Sequence, residues 1–212
     1  FSSLKKLDLM CEEDSESTEV PLNFEAFAPL LALNELAVSG WERLCWEAAA
    51  LLPSITKLQL GHAEHVALNT ALPSLQQLRV YNASTVVLGG QHLQVPQLSS
   101  LGLVDVDTEL SISWSQLGSL SSLHTSFEVA LLDTVHSSAL TNITALSLGW
   151  GECQVAFESA HVFLQAAPQA LQSLSLYAQS VGRVQPPALA RFTQLTSLRC
   201  SSLAIIPQLS AL

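Results

Sequence analysis

The hydrophobic positions of this chain recur in a spacing that fits neither a single helix nor a single strand. Residues 72–80 read LPSLQQLRV, in which apolar residues follow a proline in the frame L-x-x-L-x-L. The second half of the frame alternates with period two, which predicts a short strand with one buried face. The first leucine comes three residues earlier, and we expect the chain to turn into the strand there.

The same frame recurs along the whole chain. It begins at residues 4, 33, 55, 75, 98, 120, 143, 171 and 195, with intervals of 20 to 29 residues. Such a period indicates a repeat architecture, in which each unit buries its leucines only by stacking on its neighbours. The sequence therefore predicts one repeat domain over residues 1–212 with about nine repeats.

The segments between the frames differ in their predicted structure. Apolar helical patterns predict helices at 21–33, 41–52, 154–167 and 186–192, the second of them ending at Pro53. Three other segments are rich in β-branched residues or interrupted by glycine, and they predict short extended or 3₁₀ structure. Those three segments are 63–72, 83–95 and 107–117. The run CEEDSESTEV at 11–20 is acidic and serine-rich, which indicates a solvated loop.

The frame and its period resemble those of leucine-rich repeat proteins over essentially the whole chain. That resemblance implies an α/β fold: a curved solenoid with a parallel concave sheet and a convex side of helices and irregular segments. Phrases such as FTQLTSLRC are similar to plant and green-algal repeats. The family commonly has Asn or Cys three residues after the second strand leucine, and this chain has neither there. The turns must therefore satisfy their backbone polar groups in another way.

The residues between the strand leucines are predicted to face outward across the concave surface. They include four of the eight basic residues, Lys6, Lys57, Arg79 and Arg199, and two acidic ones, Asp8 and Glu35. From Ser100 to Ser175 the outward positions are mostly Ser, Gly and Ala, which predicts a shallow trough for a partner. The alternative is that these small polar residues simply face water.

The outward positions also supply the candidate binding residues. Aromatic and arginine side chains commonly anchor interfaces, so those on or beside the predicted concave surface are the candidates for contact with a partner. The candidates are Lys57, Arg79, Tyr81, His124, Trp150, Tyr177 and Arg199.

Composition and motifs bear on the cellular location of the chain. Hydrophobic residues make up 49% and charged residues 12%, but no apolar run reaches the roughly 20 residues of a membrane span. Both ends lack the caps that solenoids need, so we expect a piece of a longer protein. The four scattered cysteines favour a reducing, cytoplasmic location. The sequons at Asn82 and Asn142 favour an extracellular one.

The sequence carries no recognisable catalytic or cofactor-binding motif. His62 and His65 lack a third ligand at a suitable spacing, so we expect no metal site. The net charge of −10 argues against nucleic acid as a partner. We therefore expect a protein-binding scaffold without enzymatic activity. Three hypotheses remain: an adaptor, a permanent subunit of a large assembly, and the substrate-recognition segment of a ubiquitin ligase receptor or other multidomain protein.

Overall fold

The computed structural model describes residues 3–11, 22, 24–46, 52–126, 141–149, 167–177 and 191–200. The chain divides into two compact units, Phe1–Ser119 and Leu120–Leu212. In both units, the L-x-L part of every predicted frame lies in a strand. The prediction of a single domain over 1–212 stays a prediction.

Unit 1 is built on parallel strands. They are β1 (Lys6–Met10), β2 (Glu35–Ser39), β3 (Arg43–Trp46), β4 (Lys57–Leu68), β5 (Gln77–Leu88) and β6 (Ser100–Ile112). Neighbouring strands pair in the order β1-β2-β4-β5-β6, while β3 pairs with the second half of β4. Two short 3₁₀ helices, Phe24–Phe27 and Trp114–Gln116, complete the described elements of this unit.

A tight turn precedes the long strands of unit 1. The Ile55 N–H donates to the Leu52 carbonyl at 3.2 Å, and the Leu75 N–H donates to the Leu72 carbonyl at 3.1 Å. Pro53 and Pro73 occupy the second position of these turns, where the fixed φ of proline is favourable. The leading leucine of the frame thus closes a turn before the strand begins, as the spacing predicts.

The strand leucines of unit 1 stack in register. Leu36, Leu58, Leu78 and Leu101 are paired across four strands, and each is at most 4% exposed. No single turn of the chain could bury these side chains, so the stacking supplies the hydrophobic stabilisation.

Strands β4, β5 and β6 each bend sharply at one residue. His62, Asn82 and Asp105 have φ values of +48°, +49° and +54°, and beyond each the strand continues in a new direction. We call residues 6–10, 35–39, 57–61, 77–81 and 100–104 the first face of unit 1. The second face comprises residues 43–46, 63–68, 83–88 and 106–112. The extended structure predicted for this part of the chain is confirmed.

The helix predicted at 41–52 is wrong in its described part. Residues 43–46 form strand β3, in which Leu44 and Trp46 are buried and Cys45 is half-buried. Helix-forming residues dominate this segment, but pairing with β4 decides its structure, because tertiary context overrides propensity. Likewise, the helix predicted at 21–33 is reduced to a 3₁₀ turn. Its Phe24 ring stacks on Trp46 at 4.4 Å between centroids.

Unit 2 repeats the parallel pattern with shorter strands. They are β7 (Ser122–Thr125), β8 (Ala145–Leu148), β9 (Ser173–Leu176) and β10 (Ser197–Cys200), paired in that order. Leu123, Leu146 and Leu174 are stacked in register and buried. The helices predicted at 154–167 and 186–192, and the acidic run at 11–20, lie almost entirely outside the described residues.

Candidate functional site

The first face of unit 1 arranges its outward side chains in three rows, because the strand register brings equivalent frame positions together. Neighbouring residues in a row are about 4.8 Å apart, and the rows are about 6.7 Å apart along the strands. The first row is Lys6, Glu35, Lys57, Gln77 and Ser100. The second row is Asp8, Ala37, Gln59, Arg79 and Gly102, and the third is Met10, Ser39, Gly61, Tyr81 and Val104.

Side-chain hydroxyls form hydrogen bonds just before the strands of the first face begin. The Asn34 carbonyl accepts hydrogen bonds from the Thr56 and Lys57 N–H groups at 2.8 and 3.0 Å, and from the Thr56 hydroxyl at 3.2 Å. The Ser99 hydroxyl reaches the Gln76 carbonyl in the same way at 3.2 Å. In unit 2 the equivalent donors are Thr144 and Thr196. These bonds satisfy carbonyl groups in the turns that precede the strands.

Glu35 links two lysines in the first row. Its carboxylate lies 3.0 Å from Nζ of Lys57 and 3.8 Å from Nζ of Lys6. The hydrogen bond and charge of Lys57, with a smaller contribution from the charge of Lys6, hold the pKa of the Glu35 carboxyl below its ordinary value. The candidate residue Lys57 is therefore already engaged by a carboxylate.

A small depression lies beside this ion pair. Its lining includes Asp8, Glu35 and Gln59, and its volume is about 60 Å³. That volume holds a few water molecules, whereas small-molecule sites run from about 300 to 1,000 Å³. The depression therefore does not favour a small-molecule site.

Arg79 and Tyr81 contact each other on the first face. The guanidinium carbon of Arg79 lies 5.9 Å from the centre of the Tyr81 ring, within the range of a cation–π contact. His62 meets the same ring edge to face, with centroids 5.3 Å apart. Both candidate side chains rest against glycines of neighbouring strands: Tyr81 over Gly61, and Arg79 beside Gly102.

Several small positions predicted to face outward are buried. Ser39 is 4% exposed, Val104 is 7% exposed, and Ser147 of unit 2 is 5% exposed. Larger neighbours in the rows cover such positions, as the ring of Tyr81 covers Gly61. Some of the small residues therefore make room for larger side chains of this same chain. The prediction of a shallow trough for a partner did not include this role.

Unit 2 presents the remaining described candidates. His124 and Arg199 belong to one row, separated by Ser147 and Ser175. The His124 Nε2 atom lies 2.9 Å from the Ser122 hydroxyl, and Arg199 is exposed.

Tyr177 follows strand β9 directly. Its N–H donates to the Leu148 carbonyl at 2.8 Å, and its backbone packs against Gly149, which has a φ of +83°. The remaining candidate, Trp150, lies outside the described residues.

The structure thus brings three candidates, Lys57, Arg79 and Tyr81, onto one face of unit 1. Sequence reasoning missed the two features that position these side chains. They are the ion pairs of Glu35 with the two lysines, and the glycines against which Arg79 and Tyr81 pack. The sequence carries a signal for the ion pairs, because Lys6, Glu35 and Lys57 occupy the same frame position in successive repeats. It also carries a signal for the packing of tyrosine on glycine, because one repeat has a glycine at the frame position where the next repeat has a tyrosine.

The two histidines of the HAEH stretch lie on different parts of β4. His62 is at the bend, where its Nδ1 lies 3.3 Å from the side-chain nitrogen of Asn82, and His65 is on the second face. Within the described residues, no group of three or more His, Cys, Asp or Glu side chains is placed to hold a metal. In the same part of the chain, no helix is long and apolar enough to cross a membrane.

Comparisons with known proteins give matches to solved structures only. No family model matches the chain, and no curated protein matches it. The TLR13–ssRNA13 complex is similar at 18% identity and a TM-score of 0.49, over 94% of this chain and 36% of that one. An internalin (inlF) from Listeria monocytogenes str. 4b F2365 is similar at 16% identity and a TM-score of 0.28. That match covers 83% of this chain and 70% of that one.

The chain spans about a third of the TLR13 chain that it matches. The fold class rests on the structure itself: in each unit, parallel strands stack at the spacing of the L-x-x-L-x-L frame, as in a parallel-sheet solenoid. Membership of the leucine-rich repeat family stays a prediction. The similarity to plant and green-algal repeats stays a prediction.

Proposed function

We propose that this chain is a non-catalytic scaffold that binds a protein partner through the first face of unit 1. The observation that carries the proposal is the Arg79–Tyr81 pair, whose members contact each other and rest on glycines of adjacent strands. Side chains that are ordered before binding lose less conformational entropy when a partner arrives. Arginine and tyrosine are also the residue types that most often dominate interface energetics.

The position of the pair supports the same function. Arg79 is exposed and Tyr81 is half-buried, so both remain accessible to a partner on the outer side of strand β5. The buried leucines on the other side of the same strand hold the backbone in place. A partner would therefore meet a rigid strand surface rather than a flexible loop.

The adaptor, assembly-subunit and ligase-receptor hypotheses all require such a protein-binding surface, and the choice between them stays a prediction. We propose a cytoplasmic location on the cysteine pattern, with the extracellular alternative carried by the two sequons. Asn82 and Asn142 are both exposed, so either could hold a glycan. The intact mass of the protein purified from its natural source distinguishes the two locations.

The proposal is tested by quantitative affinity capture. The full chain and a variant with Lys57, Arg79 and Tyr81 replaced by alanine are immobilised, cross-linked to proteins from the source cells and compared by mass spectrometry. The variant is expected to lose specific partners while its unfolding midpoint stays within about 4 °C of wild type.

A matched control carries three exposed substitutions away from the first face. They are Arg43→Ala, Gln91→Ala and Gln97→Ala. The control is expected to retain the partners. If the first-face variant and the control capture the same proteins as wild type, the proposed surface is wrong.

A further inference from the structure

We infer that two copies of this chain associate through the outer edge of strand β1, with Lys6 of each copy opposite the partner's Asp8. The outer edge is the side of β1 that faces away from β2. This inference goes beyond the proposed function and does not rest on it, because that function is assigned to the side chains of Arg79 and Tyr81. Its basis is the backbone of the edge, the leucines beside it and the order of its two charges.

The backbone of β1 is paired on one side within the described residues. Strand β1 pairs with β2, and no other described strand pairs with it. The Lys5 carbonyl faces β2, where it accepts a hydrogen bond from the Glu35 N–H at 3.0 Å. Because successive residues of a strand direct their backbone groups to opposite sides, those of Lys6, Asp8 and Met10 face the outer edge. Such an edge is a template for a further strand.

The leucines of β1 are less buried than their partners in the stack. Leu7 and Leu9 are half-buried, whereas Leu36 and Val38, their register partners in β2, are at most 1% exposed. The leucine stack of unit 1 therefore has an apolar end at the outer edge. A strand that carries apolar residues at alternate positions would cover it.

Two opposite charges lie along the same edge. Lys6 and Asp8 are both exposed and, two residues apart, lie on the same side of β1. Nζ of Lys6 is 3.8 Å from the Glu35 carboxylate, and its side chain is still 68% exposed. Asp8 has Ala37 as its register partner and makes no ion pair within the described part of the chain. The edge thus presents one cation and one anion to an incoming strand.

The symmetry of two copies determines the direction of the two strands. When the same edge of both copies meets, a two-fold axis relates the copies and the strands run antiparallel. With Leu7 opposite the partner's Leu7, Lys6 lies opposite the partner's Asp8, and Asp8 lies opposite the partner's Lys6. Opposite charges in directly opposed positions stabilise a sheet. Lys6 and the partner's Asp8 also exchange both backbone hydrogen bonds, because both residues face the outer edge.

The neighbouring registers that join the same backbone groups lack this match. A pair centred on Asp8 places the two Asp8 side chains opposite each other, and a pair centred on Lys6 does the same with the two lysines. Like charges in these positions are destabilising. A pair centred on Leu9 places Asp8 opposite the partner's Met10 and leaves the charges unmatched. Because the sequence Lys6-Leu7-Asp8 is complementary to itself, the edge favours a second copy as its occupant.

The leucine stack of unit 1 would continue from one copy into the other. Both first faces would lie on the same side of the shared sheet, so the proposed binding surface stays accessible. An edge strand of five residues buries less than the roughly 800 Å² on each partner of a standard interface. We therefore expect a weak dimer whose population depends on protein concentration.

The test is sedimentation equilibrium of the full chain at about 1 to 500 µM, where a weak dimer forms and dissociates. Lys6→Asp and Asp8→Lys each place like charges opposite each other at both symmetry-related positions. Each should raise the dimer Kd at least about tenfold. The matched controls are Arg43→Asp and Gln77→Lys, at exposed positions away from β1, and they should leave the Kd unchanged.

The decisive measurement mixes the two β1 variants. Each opposes like charges in its own dimer, but in a mixed dimer of Lys6→Asp with Asp8→Lys every charge faces one of opposite sign. The mixture, and the double variant alone, should therefore associate as wild type does. Asp8→Lys breaks no ion pair among the described residues, so it tests the inference even if Lys6→Asp fails to fold.

Three outcomes overturn the inference. They are a wild type that stays monomeric over the whole concentration range, a dimer whose Kd Asp8→Lys leaves unchanged, and two folded β1 variants that do not associate when mixed. Unfolding midpoints measured by circular dichroism establish which variants are folded.

Discussion

The ring of Tyr81 lies over Gly61 of the neighbouring strand, in the space that a β-carbon at position 61 would fill. The two residues are partners in the register of β4 and β5, so the contact belongs to the sheet and not to a loop. The glycine thus holds the aromatic side chain of the proposed binding surface close to the backbone.

Replacing Gly61 by alanine should displace this ring. The added methyl group overlaps the ring atoms of Tyr81, which must rotate away or shift with the strand. We expect a loss of about 1–3 kcal/mol in unfolding free energy. We also expect a change in the Tyr81 aromatic resonances, assigned by comparison with Tyr177→Phe.

Gly118→Ala is the matched control for this substitution, because nothing lies within 4 Å of a β-carbon built there. Its unfolding free energy and Tyr81 resonances should match wild type. Unchanged Tyr81 resonances in Gly61→Ala would show that the ring does not sit over position 61.

Removing the lysine amine beside Glu35 should raise the pKa of that carboxyl. In Lys57→Met the hydrogen bond and the larger of the two favourable charges are lost, so the carboxyl titrates nearer its ordinary value. The measurement is a pH titration followed by carbon-13 NMR of the Glu35 carboxyl. Lys5→Met, which removes an exposed lysine outside the first face, is the control.

The same pair makes stability depend on pH with a definite sign. Because the folded pKa of Glu35 is depressed, its stabilising contribution is present above the unfolded pKa and is lost as pH falls through the folded value. The difference in midpoint between wild type and Lys57→Met should therefore shrink on acidification. A difference that grows on acidification would contradict the pairing.

A charge placed in the leucine stack should unfold the unit that contains it. Leu101 is fully buried in unit 1 and Leu146 is 4% exposed in unit 2. Leu101→Asp and Leu146→Asp each bury an unpaired carboxylate, at a cost of several kcal/mol. Circular dichroism should show loss of strand signal in both, whereas the exposed controls Gln97→Asp and Gln169→Asp should keep it. Wild-type stability in either core variant would show that the frame is wrong there.

The turn hydroxyls should make a smaller contribution. Thr56→Val and Ser99→Ala each remove one hydrogen bond to the carbonyl of the preceding repeat. We expect each to lower the unfolding free energy by about 0.5–1.5 kcal/mol, measured by urea denaturation. Thr193→Val, an exposed threonine in unit 2, is the comparison. If all three substitutions lower the unfolding free energy equally, the two hydroxyl hydrogen bonds make no specific contribution to stability.

The strand positions and the buried leucines could be predicted from the spacing of the frame, because burial on one side of a strand imposes a period of two. The bends were missed, although a signal for them was present. His62, Asn82 and Asp105 occupy the same frame position in successive repeats, and Asn, Asp and His are the non-glycine residues that most often adopt positive φ. Strand β3 was missed because its pairing partner lies about twenty residues away in β4.

The candidate site was predicted in part. Outward frame positions identified Arg79 and Tyr81, but their contact depends on χ angles and on glycines of adjacent strands that a frame does not specify. The ion pair of Glu35 with Lys57 could have been predicted by comparing the residues that occupy the same frame position in successive repeats.

The central claim is that the contact between Arg79 and Tyr81 forms the binding surface. The most direct test is a double-mutant cycle on the Kd of a partner protein identified by affinity capture, using Arg79→Gln, Tyr81→Leu and the double variant. We predict that each single substitution weakens binding by about 1.4 kcal/mol or more, and that the double variant loses less than the sum because the side chains touch. An unchanged Kd in both single variants would contradict the account.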